Sequence, residues 1–227
     1  MQFAKKSLGQ NFLIDKNIIK KIINIIDVEN KNIIEIGAGK GALTNEIIKR
    51  NPKSLTIIEK DFYLSKELNL KYKKNKIVKI YNIDVLKLNI EKLCRKNSAI
   101  FGNLPYNISS QILVKILKFK KWPPKFTDII LMFQKELGEK ILGKFASVNY
   151  GRLSILTDYR LNTFKKFLVS PNCFFPKPKV TSLVIHFKPK ISTIILKDIS
   201  NLEKITNIIF SNKRKMINKN IKKILSK

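Results

Sequence analysis

Asn103-Leu104-Pro105-Tyr106 sets an amide, a proline-fixed turn and an aromatic ring on consecutive residues. The apolar run before it, Ser98-Ala99-Ile100-Phe101, reads as a buried strand, and an apolar-periodic helix begins near Ser109. In open α/β folds ligands bind outside the carboxyl ends of the strands, which is where this turn would stand. Pro105 fixes its own φ and keeps Leu104 out of the helical region, so the backbone is stiff before anything binds. These groups suit transfer to the amino group of a base. An adenine N6 amine is a poor nucleophile because its lone pair is delocalised into the ring. Two acceptors on its N–H bonds, the Asn103 amide oxygen and the Leu104 carbonyl, would hold it and favour a more tetrahedral nitrogen. Tyr106 would stack on the base, a contact worth roughly 1–3 kcal/mol. Transfer then needs in-line placement and a cationic methyl donor. It demands neither a metal nor a histidine.

Gly37-Ala38-Gly39-Lys40-Gly41 closes the run Asn32–Ile36 and opens the helical run Ala42–Arg50. Glycines there permit a sharp turn and a close approach of backbone to ligand, and Glu59, at the tip of the next strand, suits ribose hydroxyls. Asp84 follows the third strand. It could accept a hydrogen bond from an adenine amino group or simply cap a turn. Dinucleotide enzymes share the glycine fingerprint, but they have no need for Asn-Leu-Pro-Tyr at the fourth strand.

Holding these tips side by side calls for a parallel sheet. Strand-like runs occur at Asn32–Ile36, Leu55–Ile58, Ile77–Tyr81, Ser98–Phe101 and Asp128–Phe133. Each is followed by a turn and a helical pattern at intervals of about 20–30 residues, the rhythm of an α/β, doubly wound sheet. Asp15 can cap a first helix whose apolar face is Ile18, Ile19, Ile22, Ile23 and Ile26. After Tyr150 the character changes. A helix opens at Gly151, strand-like runs follow at Phe164–Val169 and Ser182–Phe187, and the chain turns helical and very basic from about Ser200, centred on Asn212-Lys213-Arg214-Lys215. The expected organisation is one domain over residues 1–187 and a small helical one over 190–227.

The 227 residues carry 46 Lys+Arg against 16 Asp+Glu, a net charge of +30, which points to a polyanion and chiefly to nucleic acid. Drift in a chain crowded with Ile, Asn and Lys would raise lysine everywhere, but it does not readily explain so few acids. Cys94, Cys173 and the single His186 form no zinc framework and suggest no structural disulfide. With no signal-like segment and no apolar run of about 18 residues, a soluble cytoplasmic protein without a membrane partner is expected. His186 is expected to pack structurally and Trp122 to anchor a loop. The lysine runs at 71–76 and 213–223 read as solvated faces, the second better as an RNA-facing helix.

Six ordered segments carry a family resemblance: Phe3-Ala4-Lys5-Lys6-Ser7-Leu8-Gly9-Gln10-Asn11-Phe12-Leu13, Glu35-Ile36-Gly37-Ala38-Gly39, Gly102-Asn103-Leu104-Pro105-Tyr106-Asn107-Ile108-Ser109, Gln134-Lys135-Glu136, Tyr150-Gly151-Arg152-Leu153-Ser154 and Phe174-Phe175-Pro176-Lys177-Pro178-Lys179-Val180. Together they resemble the ribosomal RNA small-subunit adenine N6,N6-dimethyltransferase family (KsgA/RsmA). The resemblance implies a mostly parallel, seven-stranded Rossmann-like methyltransferase sheet. It also implies S-adenosylmethionine-dependent dimethylation of two adjacent adenosines in the terminal hairpin of small-subunit rRNA, by a monomer acting on the immature subunit. By it, Gln10, Asn11 and Leu13 would bind the cosubstrate, with Asn11 and Leu13 folding over it. Gly37 and Gly39 would pass its methionine end, Glu59 would hold its ribose, Asp84 would meet its adenine, and Asn103 would bridge cofactor and target. Leu104, Pro105 and Tyr106 would complete the catalytic turn, and Phe174 would close on a flipped base opposite Tyr106. Extruding that base costs roughly a few kcal/mol, least from a loop.

The macrolide-resistance enzymes, which act on large-subunit rRNA, share the fold and the Asn-x-Pro-Tyr turn. The opening segment, Gln-Lys-Glu and Tyr-Gly-Arg-Leu-Ser lean toward the small-subunit group. A non-catalytic ribosome-assembly factor would keep the fold and the charge. The family pattern continues into further helices after its Asn-x-Arg-Arg-Lys-like segment, whereas this sequence stops soon after Lys215.

Overall fold

Isoleucine-rich runs make the centre of the sheet. The computed structural model describes residues 10–191, 196 and 198–210. Its strands are β1 (Phe12–Leu13), β2 (Asn32–Ile36), β3 (Ser54–Glu59), β4 (Val78–Asn82), β5 (Ser98–Asn103), β6 (Phe126–Gln134), β7 (Leu161–Val169), β8 (Phe174–Phe175) and β9 (Ser182–Pro189). Its helices are α1 (Lys16–Ile23), α2 (Ala42–Ile48), α3 (Phe62–Tyr72), α4 (Ile90–Leu93), α5 (Ser109–Leu117), α6 (Lys135–Ile141), α7 (Arg152–Arg160) and α8 (Ile199–Phe210). β2 is buried along its whole length, as a parallel strand covered on both faces must be.

Seven strands lie in the order β4-β3-β2-β5-β6-β9-β7. The first five run parallel, and β9 and β7 add antiparallel pairs at one side. The chain moves outward from β2 to β4 and then crosses back to place β5 on the other flank of β2. That reversal opens a crevice beyond the carboxyl ends of β2 and β5, the place where doubly wound sheets take ligands. The expected mostly parallel, seven-stranded sheet is the one observed.

Side chains alternate across it. Ile129, Leu131 and Phe133 of β6 pack with α5, α6 and α7, while Ile130 and Met132 pack on the opposite face with the apolar sides of α1 and α2. α1 starts where expected, with Asp15 Oδ1 accepting from Asn17 N (2.8 Å) and Ile18 N (2.9 Å). Ile199 of α8 is buried in the same cluster as α5 and α7. Asn212–Lys215, the lysine run at 213–223 and the segment from Phe3 to Gly9 lie outside the described residues.

Three features depart from the periodicity. β1 and β8 pair as a two-residue antiparallel ribbon, Phe12 opposite Phe175 and Leu13 opposite Phe174, too short to leave a pattern in sequence. β7 begins at Leu161 rather than Phe164, because a mostly exposed edge strand need not alternate. α4 is a single short turn of helix. Trp122 does anchor its loop, donating from Nε1 to the Lys190 carbonyl at 2.8 Å. His186 is buried, with Nε2 2.8 Å from Asp128 Oδ1. Among the described residues no helix is long and apolar enough to cross a membrane.

Candidate active site

The glycine turn after β2 is held from below by a carboxylate. Glu59 Oε2 accepts from Gly39 N and Oε1 from Asp61 N, both at 2.9 Å. Gly37 and Gly39 have φ of +72° and +58°, a region that disfavours any side chain. A Cβ on Gly39 would also meet the Phe12 ring at 3.0 Å, and one on Gly37 would face the Asn103 carbonyl at 3.5 Å. The loop is thus closed by β1 on one side and by the Asn103 turn on the other.

Two carboxyls on this side are unusually basic. Burial pushes Glu35 up to about 7, against the hydrogen bond from Thr44 Oγ1 (2.6 Å) and with help from nearby Glu59. Burial also raises Glu59, opposed by the N–H groups of Asp61 and Gly39. Asp84 behaves differently. Its Oδ2 pairs with Lys60 Nζ at 2.9 Å and its Oδ1 accepts from Leu86 N at 2.9 Å. Those two bonds hold its carboxyl below the usual range. Asp84 therefore caps a turn while also standing on the cavity wall.

Opposite the glycines, β5 ends in the turn singled out by sequence. Asn103 Nδ2 donates to the Asn11 carbonyl at 3.1 Å. A carbonyl can only accept, so the amide is oriented with its NH2 toward Asn11, leaving Oδ1 as the outward acceptor. Further along, the Pro105 carbonyl accepts from Ile108 N (3.2 Å) and the Tyr106 carbonyl from Ser109 Oγ (3.1 Å). Tyr106 Oη lies 2.7 Å from Ser182 Oγ on β9, which pins the half-buried ring by its far end.

A single cavity of about 1150 Å³, counted to its open mouth, gathers Gln10, Asn11, Leu13, Gly37, Gly39, Glu59, Asp84 and Asn103 through Tyr106. Gln10 reaches it with Nε2 donating to Asp61 Oδ2 at 3.2 Å. Phe174 does not join them. Strand alternation in the β1–β8 ribbon turns it to the side of Leu13 and into the core, where it is 3% exposed, and sends Phe175 outward at 65%. The Phe174 ring does not line this cavity.

The structure adds Glu35, Lys60 and Ser182 to the residues picked from sequence. Glu35 had a signal, two positions before Gly37. Lys60 and Ser182 act through residues distant in sequence, and nothing local marks them.

The donor set fits a nucleoside bearing a cationic substituent: a glycine cradle, a buried carboxylate beneath it, a second carboxylate at the rim and an oriented amide. The family model described as ribosomal RNA adenine dimethylase matches residues 1–227. The ribosomal RNA small subunit methyltransferase A of Pelagibacter ubique (strain HTCC1062) is 47% identical over 219 residues, covering 95% of this chain and 82% of that protein. Among solved structures, a dimethyladenosine transferase from Plasmodium falciparum is similar with a TM-score of 0.78 at 28% identity, covering 93% of this chain and 74% of that one. The 23S rRNA methyltransferase ErmE shares the fold, with a TM-score of 0.70 at 23% identity over 94% of this chain and 84% of that one. With its fold and its entire length matched, the chain belongs to the ribosomal RNA adenine dimethylase family.

Proposed function

We propose that this chain dimethylates N6 of two adjacent adenosines in the terminal hairpin loop of small-subunit rRNA, acting as a monomer on the immature subunit in the cytoplasm. S-adenosylmethionine, when bound, supplies a methyl group on a cationic sulfur and leaves as the thioether. The chain's own residues do the rest. Gly37 and Gly39 leave room for the donor's methionine end, Glu59 accepts from the ribose hydroxyls, and Asp84 accepts from the adenine amino group. Gln10, Asn11 and Leu13 cover it. The Asn103 amide oxygen and the Leu104 carbonyl accept the two N–H bonds of the target amine. Held by these two acceptors, the amine would present its lone pair to the donor's methyl carbon, with the thioether as leaving group, and would give up its proton to solvent. Pro105 keeps these acceptors fixed, so little reorganisation is needed at the moment of transfer. Tyr106 stacks on the base while Ser182 holds the phenol.

The observation that carries this reading is the Asn103 amide, turned by the Asn11 carbonyl so that its oxygen is left as the acceptor. Asn103→Ala is expected to lower methyl transfer onto undermethylated small subunits by a factor on the order of 10²–10³, with rRNA affinity retained. Full activity in that variant would refute the assignment of the turn. Transfer onto large subunits in preference to small would instead give the chain the macrolide-resistance target.

A further inference from the structure

A second basic surface lies apart from the catalytic cavity and shares no residue with it. It is the groove between α1 and β7, walled by Asn17, Lys20, Lys21 and Asn24 from one side and by Lys165 and Phe167 from the other. Asn17, Lys20 and Lys21 of α1 and its C-cap Asn24 fall at i, i+3, i+4 and i+7, one exposed stripe. Ile19, Ile22 and Ile23 are buried on the opposite side, so the stripe is committed to solvent. Lys21 Nζ stands 4.3 Å from the centroid of the Phe167 ring, which holds that ammonium over the groove.

The charge here is uncompensated. No Asp or Glu lines the groove, and among the described residues no carboxylate lies within ion-pair distance of Lys20, Lys21 or Lys165. The basic cleft beside α5 is different: there Lys118 and Arg152 share Glu203, at 2.7 and 3.5 Å. The groove is also rigidly tied to the active site. α1 runs back through its Asp15 cap and Ile14, whose N donates to the Cys173 carbonyl at 2.8 Å, into β1, and Phe12 and Leu13 of β1 wall the cavity.

We propose that the α1–β7 groove holds the phosphodiester backbone of the rRNA outside the methylated nucleotides, fixing the register in which the hairpin loop meets the cavity. This rests on the reading that the substrate is rRNA. Lysine ammoniums supply point charges for phosphates, and Asn17 and Asn24 add neutral donors, a set that positions a strand without reading its bases.

The test is the full chain carrying Lys20→Gln, Lys21→Gln and Lys165→Gln together. The KM for undermethylated small subunits is expected to rise about tenfold or more, with kcat at saturation and S-adenosylmethionine affinity unchanged. The log–log salt slope of rRNA binding, measured without methyl donor, should become shallower by about 2, given about 0.7–0.9 per phosphate contact. Arginine at the same three positions should restore both. If the triple variant unfolds, Lys20→Gln and Lys165→Gln singly should each remove a little under one unit of slope. An unchanged KM and slope in a folded variant overturns the groove and leaves the catalytic assignment standing. Loss of binding to phosphatidylglycerol vesicles with an unchanged rRNA slope overturns it in favour of a lipid surface. Because the slope is read on binding alone, it judges the groove even if the wild-type chain fails to methylate rRNA.

Discussion

Glu35 and Glu59 are buried near the carboxyl ends of β2 and β3, where N–H and O–H donors hold them and no described ion pair reaches them. Asp128 is buried near the amino end of β6, where His186 bonds one oxygen at 2.8 Å and Lys31 Nζ lies 3.6 Å from the other. Burial alone would raise Asp128 as it raises the two glutamates. The His186 and Thr127 hydrogen bonds, with Lys31, outweigh it and hold the carboxyl below its usual range. The difference separates two uses of a buried acid. At the amino end the charge is already answered, so the residue serves the fold. At the carboxyl end no described cation pairs with the two acids and burial raises both, and that is the end where a sulfonium donor is proposed to bind.

The largest effect should come from breaking the answered end. Asp128→Ala removes the partner of His186 Nε2, and His186 Nδ1 already has no hydrogen-bond partner. The imidazole would then be buried with neither nitrogen bonded. The expected cost is about 3–5 kcal/mol, read from urea unfolding at neutral pH. The native pKa of Asp128 is depressed, so its stabilisation is present above the unfolded value of 3.8 and is lost as pH falls through the native value below that. A fall of under 1 kcal/mol would mean that the two ends are not treated differently.

Glu35 tests the other end. Its native pKa is raised from 4.5 to about 7, so the native state holds the proton more tightly than the unfolded chain. Stability from this group is therefore greatest below 4.5 and declines as pH rises toward 7, by about 3 kcal/mol in total. Glu35→Gln should flatten that decline, and the difference between variant and wild-type stability curves isolates it. Parallel curves from pH 4.5 to 8 would show that Glu35 ionises in the fold without penalty. S-adenosylmethionine should also bind wild type more tightly above pH 7 than below, a trend the variant should lose.

Tyr106 offers a smaller and more specific test. Tyr106→Phe keeps the ring and loses only the contact with Ser182, worth about 1 kcal/mol, so methyl transfer should fall less than tenfold. Tyr106→Ala also removes the stacking surface, at a further 1–3 kcal/mol or so. Equal losses in the two variants would mean that the ring is held for its hydroxyl and not for its face.

The regions also differ in how legible they were. Strands β2, β3 and β5 are largely buried, so their apolar runs stand out and lead to Gly37, Glu59 and Asn103 at their ends, while Asp84 follows β4, an edge strand without a buried run, and is reached only from the repeated strand–turn rhythm. The setting of Phe174 is less legible, because it depends on the pairing of two short strands far apart in the chain, Phe12 with Phe175. A motif alignment carries no such register. The α1–β7 groove was hidden for a related reason. Lys20 and Lys165 meet only after α1 packs on the sheet, and each taken alone looks like an ordinary solvated lysine.

Asp84 should give the smallest change in stability and the sharpest contrast with Asp128. Its pairing with Lys60 involves a half-exposed ammonium, and exposed pairs of this kind contribute about 0–1 kcal/mol. Asn keeps an oxygen to accept from Leu86 N, so the turn survives Asp84→Asn and the unfolding midpoint should barely move. What changes is the outer atom, from an acceptor to a donor, which would face the donor's adenine amino group with another N–H. Affinity for S-adenosylmethionine, measured by calorimetry, should therefore drop about tenfold, roughly one charge-assisted hydrogen bond, while the free energy of unfolding stays put. The reverse pattern, an unfolding cost with affinity intact, would place Asp84 with Asp128 among the acids that serve the fold.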